Sequence, residues 1–116
     1  MDRLAQVMQR ISDFATAREW DQFHTPKNLV AAICSEVGEL SGLVRWICDR
    51  DIRILALSKP NIKKEIGDVL NFTLRLCQVL DLDPIEILNE GIDINEKNYP
   101  VELSRGNAKK YNEFKD

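Results

Sequence analysis

Four carboxylates, arranged as two pairs, are the side chains of this sequence with the clearest chemical potential. Glu36 and Glu39 lie three residues apart, and so do Glu65 and Asp68. In a helix this spacing places both members of a pair on one side. Each pair borders an apolar stripe, so packing of the two helices could bring all four carboxylates together. Two like charges ~4 Å apart cost about 4 kcal/mol at an effective dielectric constant of about 20, so such a cluster takes up protons or holds a cation.

Ligation by oxygen alone favours a hard divalent cation, so the sequence predicts Mg²⁺, with Mn²⁺ as a substitute. Mg²⁺ recruits substrate phosphates, and its site can activate water for attack on phosphorus. Gly38 and Gly67 lie inside the two pairs and predict close approach of another backbone or of a phosphate. From the spacing alone, the pairs fit a solvated helix face as well as a metal site. A di-iron bundle is excluded, because it needs Glu-x-x-His motifs and the single histidine, His24, does not follow a glutamate at that spacing.

The elements that must position these residues are predicted to be helices. Apolar residues at helical spacing predict four main helices, at 3–18, 26–47, 60–80 and from Pro84 to just before Pro100. Thr25 and Asp83 are the predicted N-caps ahead of prolines. Residues 49–61 are an apolar connection that could hold a short helical turn. The predicted fold class is all-α, a four-helix bundle forming a single domain over residues 1–116, with a polar C-terminal tail at 99–116.

Composition excludes several classes of protein. The chain has 116 residues and a net charge of −3, which suits one domain and disfavours a nucleic-acid binder. No apolar run approaches the ~18 residues that cross a bilayer, so no membrane partner is expected. The N-terminus lacks the apolar stretch of a signal peptide. Cys34, Cys48 and Cys77 lie far apart, which predicts buried, reduced thiols in a cytoplasmic protein.

The acidic segments also resemble a known family. Glu36-Val-Gly-Glu39-Leu and Glu65-Ile-Gly-Asp68-Val resemble the E-x-x-E…E-x-x-D signature of the MazG-like all-α nucleoside triphosphate pyrophosphohydrolases. Three further parts of the sequence resemble the small dCTP-pyrophosphatase branch of that family, and together the likeness runs from about residue 10 to residue 113. These parts are the segment Arg18–Leu29, Trp46, and the segment Tyr99–Tyr111.

The resemblance implies hydrolysis of a nucleoside triphosphate, with dCTP or a related or modified deoxynucleotide as the expected substrate. The products would be the monophosphate and pyrophosphate, and the role would be house-cleaning of the nucleotide pool. It implies that the four carboxylates hold Mg²⁺ and that the chain forms a homodimer or a dimer of dimers with the active site between subunits. One of the four carboxylates is expected to serve as the general base for the attacking water. Residues expected to contact the nucleoside are Trp20, His24, Trp46 and Phe72. Those expected to contact the triphosphate are Asn95, Lys97, Arg105, Lys109 and Lys110.

Two positions depart from the pattern of the family and leave the preferred base open. Phe72 stands where close relatives often carry a tyrosine, and Ile11 stands where members of the branch can carry a histidine. The rival interpretation is a non-catalytic helical adaptor that dimerises through its apolar stripes. That rival predicts silent carboxylate substitutions and no stabilisation by nucleotides.

Overall fold

A computed structural model describes residues 1–114, which form helices and no strand. The all-α prediction is therefore confirmed over the described residues. The elements are α1 (Arg3–Ala17), α2 (Pro26–Val44), α3 (Asp49–Ser58), α4 (Pro60–Val79), α5 (Pro84–Asn98), α6 (Val101–Ser104) and a 3₁₀ turn (Tyr111–Glu113). The chain divides into two compact units, of which the first comprises α1 to α4 and the second begins at Asp83. The single-domain organisation stays a prediction.

The helix starts follow the predicted caps. The Thr25 hydroxyl accepts a hydrogen bond from the backbone N–H of Asn28 at 3.2 Å, and Pro26 occupies the first turn of α2. Asp83 accepts from the backbone N–H of Ile85 at 2.8 Å, ahead of α5. Both caps satisfy donors that a helix N-terminus leaves without intrahelical partners.

The segment expected to be a connection is a third helix of 10 residues, α3. Its partly buried side chains are Ile52, Leu55 and Ala56, which share the i, i+3, i+4 face of a helix, whereas Ile54 and Leu57 are exposed. Because apolar residues lie on both faces, the sequence shows no clear stripe there. The first unit thus holds four helices, and α3 is longer than the short helical turn that the connection could have held.

The core of the first unit is built around α4, which packs against α1, α2 and α3. Ala15, Leu29, Ile62 and Cys77 are its buried apolar side chains. The expectation that every cysteine is buried is wrong for two of the three. Cys77 is buried, but Cys34 and Cys48 are exposed free thiols.

The end of α1 is fixed by the main chain. Glu19 takes the left-handed conformation, with a φ of 56°. The backbone N–H of Trp20 donates to the carbonyl of Ala15 at 2.9 Å, and that of Glu19 donates to Thr16 at 3.1 Å. This is the Schellman motif, which supplies hydrogen-bond donors to carbonyls of the last turn and sets the direction in which the chain leaves the helix.

No helix within residues 1–114 has the length and apolar character that crossing a bilayer requires.

Candidate active site

The two acidic pairs lie in the middle of α2 and α4, the two helices that form the main contact of the first unit. Carboxylate oxygens of Glu36, Glu65 and Asp68 lie within 4.8 Å of one another. All three side chains are partly buried. Glu39 is more exposed and lies outside this triad, but it neighbours Glu36 closely enough to perturb its ionisation. The structure thus brings together three of the four carboxylates that the sequence paired.

Two oxygens of this cluster are buried and unsatisfied. Oε2 of Glu36 and Oε2 of Glu65 have no hydrogen-bond partner among the residues that the structure describes. Buried carboxylate oxygens without a donor are costly, and few native groups of this kind lack a partner. The arrangement calls for a proton or a cation among the oxygens.

A lysine contacts the edge of the cluster. The Nζ atom of Lys64 lies 2.7 Å from Oδ2 of Asp68, and the hydrogen bond and charge of Asp68 raise the pKa of Lys64. Sequence reasoning gave Lys64 no role. The signal was its position four residues before Asp68, the spacing of helical ion pairs.

Crowding of the carboxylates changes their ionisation. The pKa of Glu36 is raised to about 7, first because its protonated form can donate a hydrogen bond to Glu65, then by desolvation and by the neighbouring Glu39. A carboxyl that shares a proton with a second carboxylate cannot ionise as readily as an isolated one. Near neutral pH, Glu36 therefore carries a proton in part of the molecules.

This ionisation predicts an inverted pH dependence of stability in the metal-free protein. The folded pKa of Glu36 lies above its ordinary value of 4.5, so between these values the folded state binds more protons than the unfolded state. The free energy of unfolding should therefore fall as pH rises from about 4.5 to about 7. Urea denaturation in EDTA at constant ionic strength measures this slope. Glu36→Gln should flatten it, and an unchanged slope in that variant would contradict the assignment.

A largely apolar cavity of about 610 Å³ lies between α1 and α4. Its lining includes Ile11 and Phe14 from α1, with Gly67 and Leu70 from α4. Gly67 lies between Glu65 and Asp68 in sequence, but neither of these carboxylates lines the cavity. Apart from its chain neighbours and the backbone of its own helix, no atom of the described chain lies within 4 Å of a Cβ built at Gly67 or at Gly38. The expected close approach of another backbone is thus not found within these residues, and the space at Gly67 is open.

Aromatic side chains adjoin this cavity. The rings of Phe14 and Trp20 meet edge to face with centroids 5.6 Å apart, and Trp20 meets His24 at 6.2 Å. Such geometry is favourable for aromatic pairs. Two predicted nucleoside contacts, Trp20 and His24, therefore lie together, next to a residue that lines the cavity.

The other two predicted nucleoside contacts lie elsewhere in the first unit. Trp46 follows α2, is 85% exposed, and lines a second cavity of about 440 Å³ beside α3. Its ring lies 5.4 Å from the guanidinium carbon of Arg45. Phe72 is half-buried on α4. The aromatic contacts of the described residues do not join Trp46 or Phe72 to the Trp20–His24 pair.

Sequence reasoning missed a buried arginine that contacts the loop between α1 and α2. Arg75 is 8% exposed and is the one buried charged side chain in the described range 1–114. Its guanidinium donates to Nδ1 of His24 at 2.9 Å, to Oδ1 of Asp21 at 2.5 Å and to Oε1 of Gln78 at 3.1 Å. The available signal was that Arg75 is the only charge between Asp68 and Asp81.

The predicted triphosphate contacts belong to the second unit. Asn95 and Lys97 are exposed on α5, Arg105 follows α6, and Lys109 and Lys110 precede the 3₁₀ turn. Their role toward a triphosphate stays a prediction.

Comparison with known proteins gives consistent matches over nearly the whole chain. The chain is 34% identical over 114 residues to dCTP pyrophosphatase 1 of Mus musculus, covering 96% of this chain and 67% of that protein. The human dCTP pyrophosphatase 1 is also 34% identical, over 115 residues, with the same coverage. No protein-family model matches. Among solved structures, a pyrophosphatase from Archaeoglobus fulgidus superposes with a TM-score of 0.78 at 33% identity, covering 86% of this chain and 94% of that one.

Proposed function

The chain belongs to the dCTP pyrophosphatase branch of the MazG-like pyrophosphohydrolases, and from this membership we propose that it hydrolyses dCTP or a related deoxynucleotide to the monophosphate and pyrophosphate. In this reaction an oxygen of water bonds to phosphorus and the α–β phosphoanhydride bond breaks. Pyrophosphate is the leaving group. The cellular role would be removal of surplus or non-standard deoxynucleotides.

The observation that carries this proposal is the group of three carboxylates from two helices, with two buried oxygens that lack donors. A hard cation fits such a set, because all the donors are carboxylate oxygens. We propose that Glu36, Glu65 and Asp68, with Glu39 beside them, hold Mg²⁺, or Mn²⁺ in its place. When bound, the ion would neutralise phosphate charge and lower the pKa of a coordinated water.

The chain's own residues would contribute two further steps. A carboxylate of the quartet accepts the proton that the attacking water loses. Lys64, now paired with Asp68, supplies a positive charge at the edge of the site that can pair with a phosphate oxygen once a cation replaces it on Asp68.

The nucleoside is proposed to lie against the Trp20–His24 pair and the cavity that reaches Gly67. Two features support this placement: the cavity volume suits a small ligand, and its wall is mainly apolar. Stacking of a base on an aromatic ring contributes about 1–3 kcal/mol. Nucleoside contacts are also proposed for Trp46 and Phe72, which do not line this cavity. Contacts to the triphosphate are proposed for Asn95, Lys97, Arg105, Lys109 and Lys110.

Assembly as a homodimer or homotetramer is part of the proposal. Apolar side chains flank the acidic residues on both helices and are substantially exposed in the single chain: Val37 at 47%, Ile66 at 43% and Leu70 at 58%. Apolar surface of this kind beside a polar site is typical of protein interfaces. A second copy would bury this surface and enclose the site.

The test is a product assay on the purified protein. With Mg²⁺ and a panel of the four dNTPs, we expect equal amounts of monophosphate and pyrophosphate and no free orthophosphate. EDTA should abolish the reaction. Absence of turnover with every nucleotide, or release of orthophosphate in place of pyrophosphate, would refute the proposed function.

A further inference from the structure

The contacts of Arg75 decide which nitrogen of His24 carries the proton. Arginine has donors and no acceptor, so the hydrogen bond from its Nε to Nδ1 of His24 requires Nδ1 to be unprotonated. The neutral ring then carries its proton on Nε2. Which nitrogen is protonated in a histidine is set in this way by the partner of the other nitrogen.

The surroundings also keep the ring neutral. Desolvation and then the charge of Arg75 lower the pKa of His24, while Asp21 acts in the opposite direction. Arg75 on α4 and Asp21 in the loop are the charged groups that perturb this histidine. At and above neutral pH, His24 therefore offers a single N–H donor, at Nε2.

The network ties the loop to the core through more than one element. Asp21 accepts from Arg75 and from the hydroxyl of Thr16 at 3.1 Å. Gln78, a further partner of Arg75, donates from Nε2 to the carbonyl of Met8 at 2.6 Å. Side chains from α1, α4 and the loop thus hold His24 in one orientation, and Trp20 contacts the same ring.

We propose that Arg75 is a positioning residue of the nucleotide site, which presents His24 to the substrate as a donor from Nε2 alone. This inference rests on the proposed function, because it takes His24 to face the nucleotide. A site with a fixed donor selects an acceptor atom of the substrate, either a carbonyl oxygen of the base or a phosphate oxygen. It disfavours a base that presents a donor at that point, because two donors would face each other.

The first measurement needs neither a variant nor turnover. Because the sequence has one histidine, ¹⁵N NMR of the imidazole ring reports His24 without overlap. In the wild-type protein at pH 8 we expect a protonated Nε2 and an unprotonated Nδ1. A pH titration should give a pKa of His24 below its ordinary value of 6.5. A proton on Nδ1, or titration at or above 6.5, would overturn the proposal.

The second measurement uses Arg75→Met, with Asp21→Asn as the matched control. Methionine is of similar length and apolar, and Asp21 is 54% exposed, so loss of the arginine leaves no stranded buried charge. In Arg75→Met we expect a mixture of His24 tautomers and a His24 pKa nearer 6.5. The KM should rise about 10-fold, which is the effect of losing one hydrogen bond to the substrate, while kcat stays nearly unchanged. Asp21→Asn should keep the Nε2–H tautomer and lower the pKa of His24 further. If Arg75→Met shows the wild-type tautomer and KM, Arg75 has only a structural role.

Comparing the KM values of Arg75→Met for different nucleotides distinguishes the two kinds of acceptor atom. A rise in KM confined to pyrimidine nucleotides assigns the acceptor to the base, and an equal rise for all four dNTPs assigns it to a phosphate. If the wild-type protein turns over no nucleotide, the proposed function fails by itself. The Arg75 proposal is then decided by adding dCTP and following the Nε2–H resonance, and an unmoved resonance overturns it.

Discussion

Glu65→Gln is expected to lower kcat/KM for nucleotide hydrolysis by more than about 100-fold, because removal even of residues that only support a metal ligand costs about 10–100-fold. Glutamine keeps the shape of the side chain and removes its charge. In EDTA at pH 8 the same change should raise the melting temperature, since one of three carboxylates within 4.8 Å no longer repels the others. Stabilisation by Mg²⁺ should be lost.

Together, these effects on activity, melting temperature and Mg²⁺ response distinguish an active site from a solvated acidic helix face. Glu90→Gln, on the exposed surface of α5, makes the same charge change at a residue that is not one of the clustered carboxylates, and it serves as the control. It should retain activity and the response to Mg²⁺. If Glu65→Gln behaves like Glu90→Gln in activity and in thermal shift, the adaptor interpretation is the better one.

Leu29→Ala is expected to lower the free energy of unfolding by about 2–5 kcal/mol, a large part of the about 5–15 kcal/mol that stabilises an ordinary domain. Leu29, near the start of α2, is 1% exposed, so truncation leaves a cavity among its neighbours. Leu57 provides the matched control, because the same chemical change at 81% exposure should cost no more than about 0.5 kcal/mol. Urea denaturation of both variants measures the difference. Equal losses of unfolding free energy in the two variants would mean that Leu57 is buried against another copy in the assembled protein.

The acidic site could be predicted from sequence because its signal is local. Two residues three apart on a helix share a side, and the apolar stripes show which sides face each other. That reasoning places Glu36 near Glu65 without knowledge of the fold. It does not separate Glu39 from the triad, because exposure along a helix depends on the exact angle at which the two helices pack.

Long-range polar contacts could not be predicted in the same way. Arg75 follows His24 by 51 positions and Asp21 by 54, and no spacing rule relates a loop residue to a helix residue at such distances. An isolated charge in an apolar helix indicates a buried pair, but it does not name the partner. The same limit applies to α3, where apolar residues on both faces hide the helical period until the packing against α4 shows which of them are buried.

The Schellman turn at the end of α1 has a consequence for altering the substrate range. Main-chain hydrogen bonds, not the indole, start the loop that carries Trp20. Position 20 can therefore be randomised in a mutant library to any residue except proline, which lacks the N–H that donates to Ala15, while the loop keeps its path. Position 19 should be left out of the randomisation or restricted to glycine, asparagine and aspartate, because β-branched side chains are poorly tolerated at a φ of 56°.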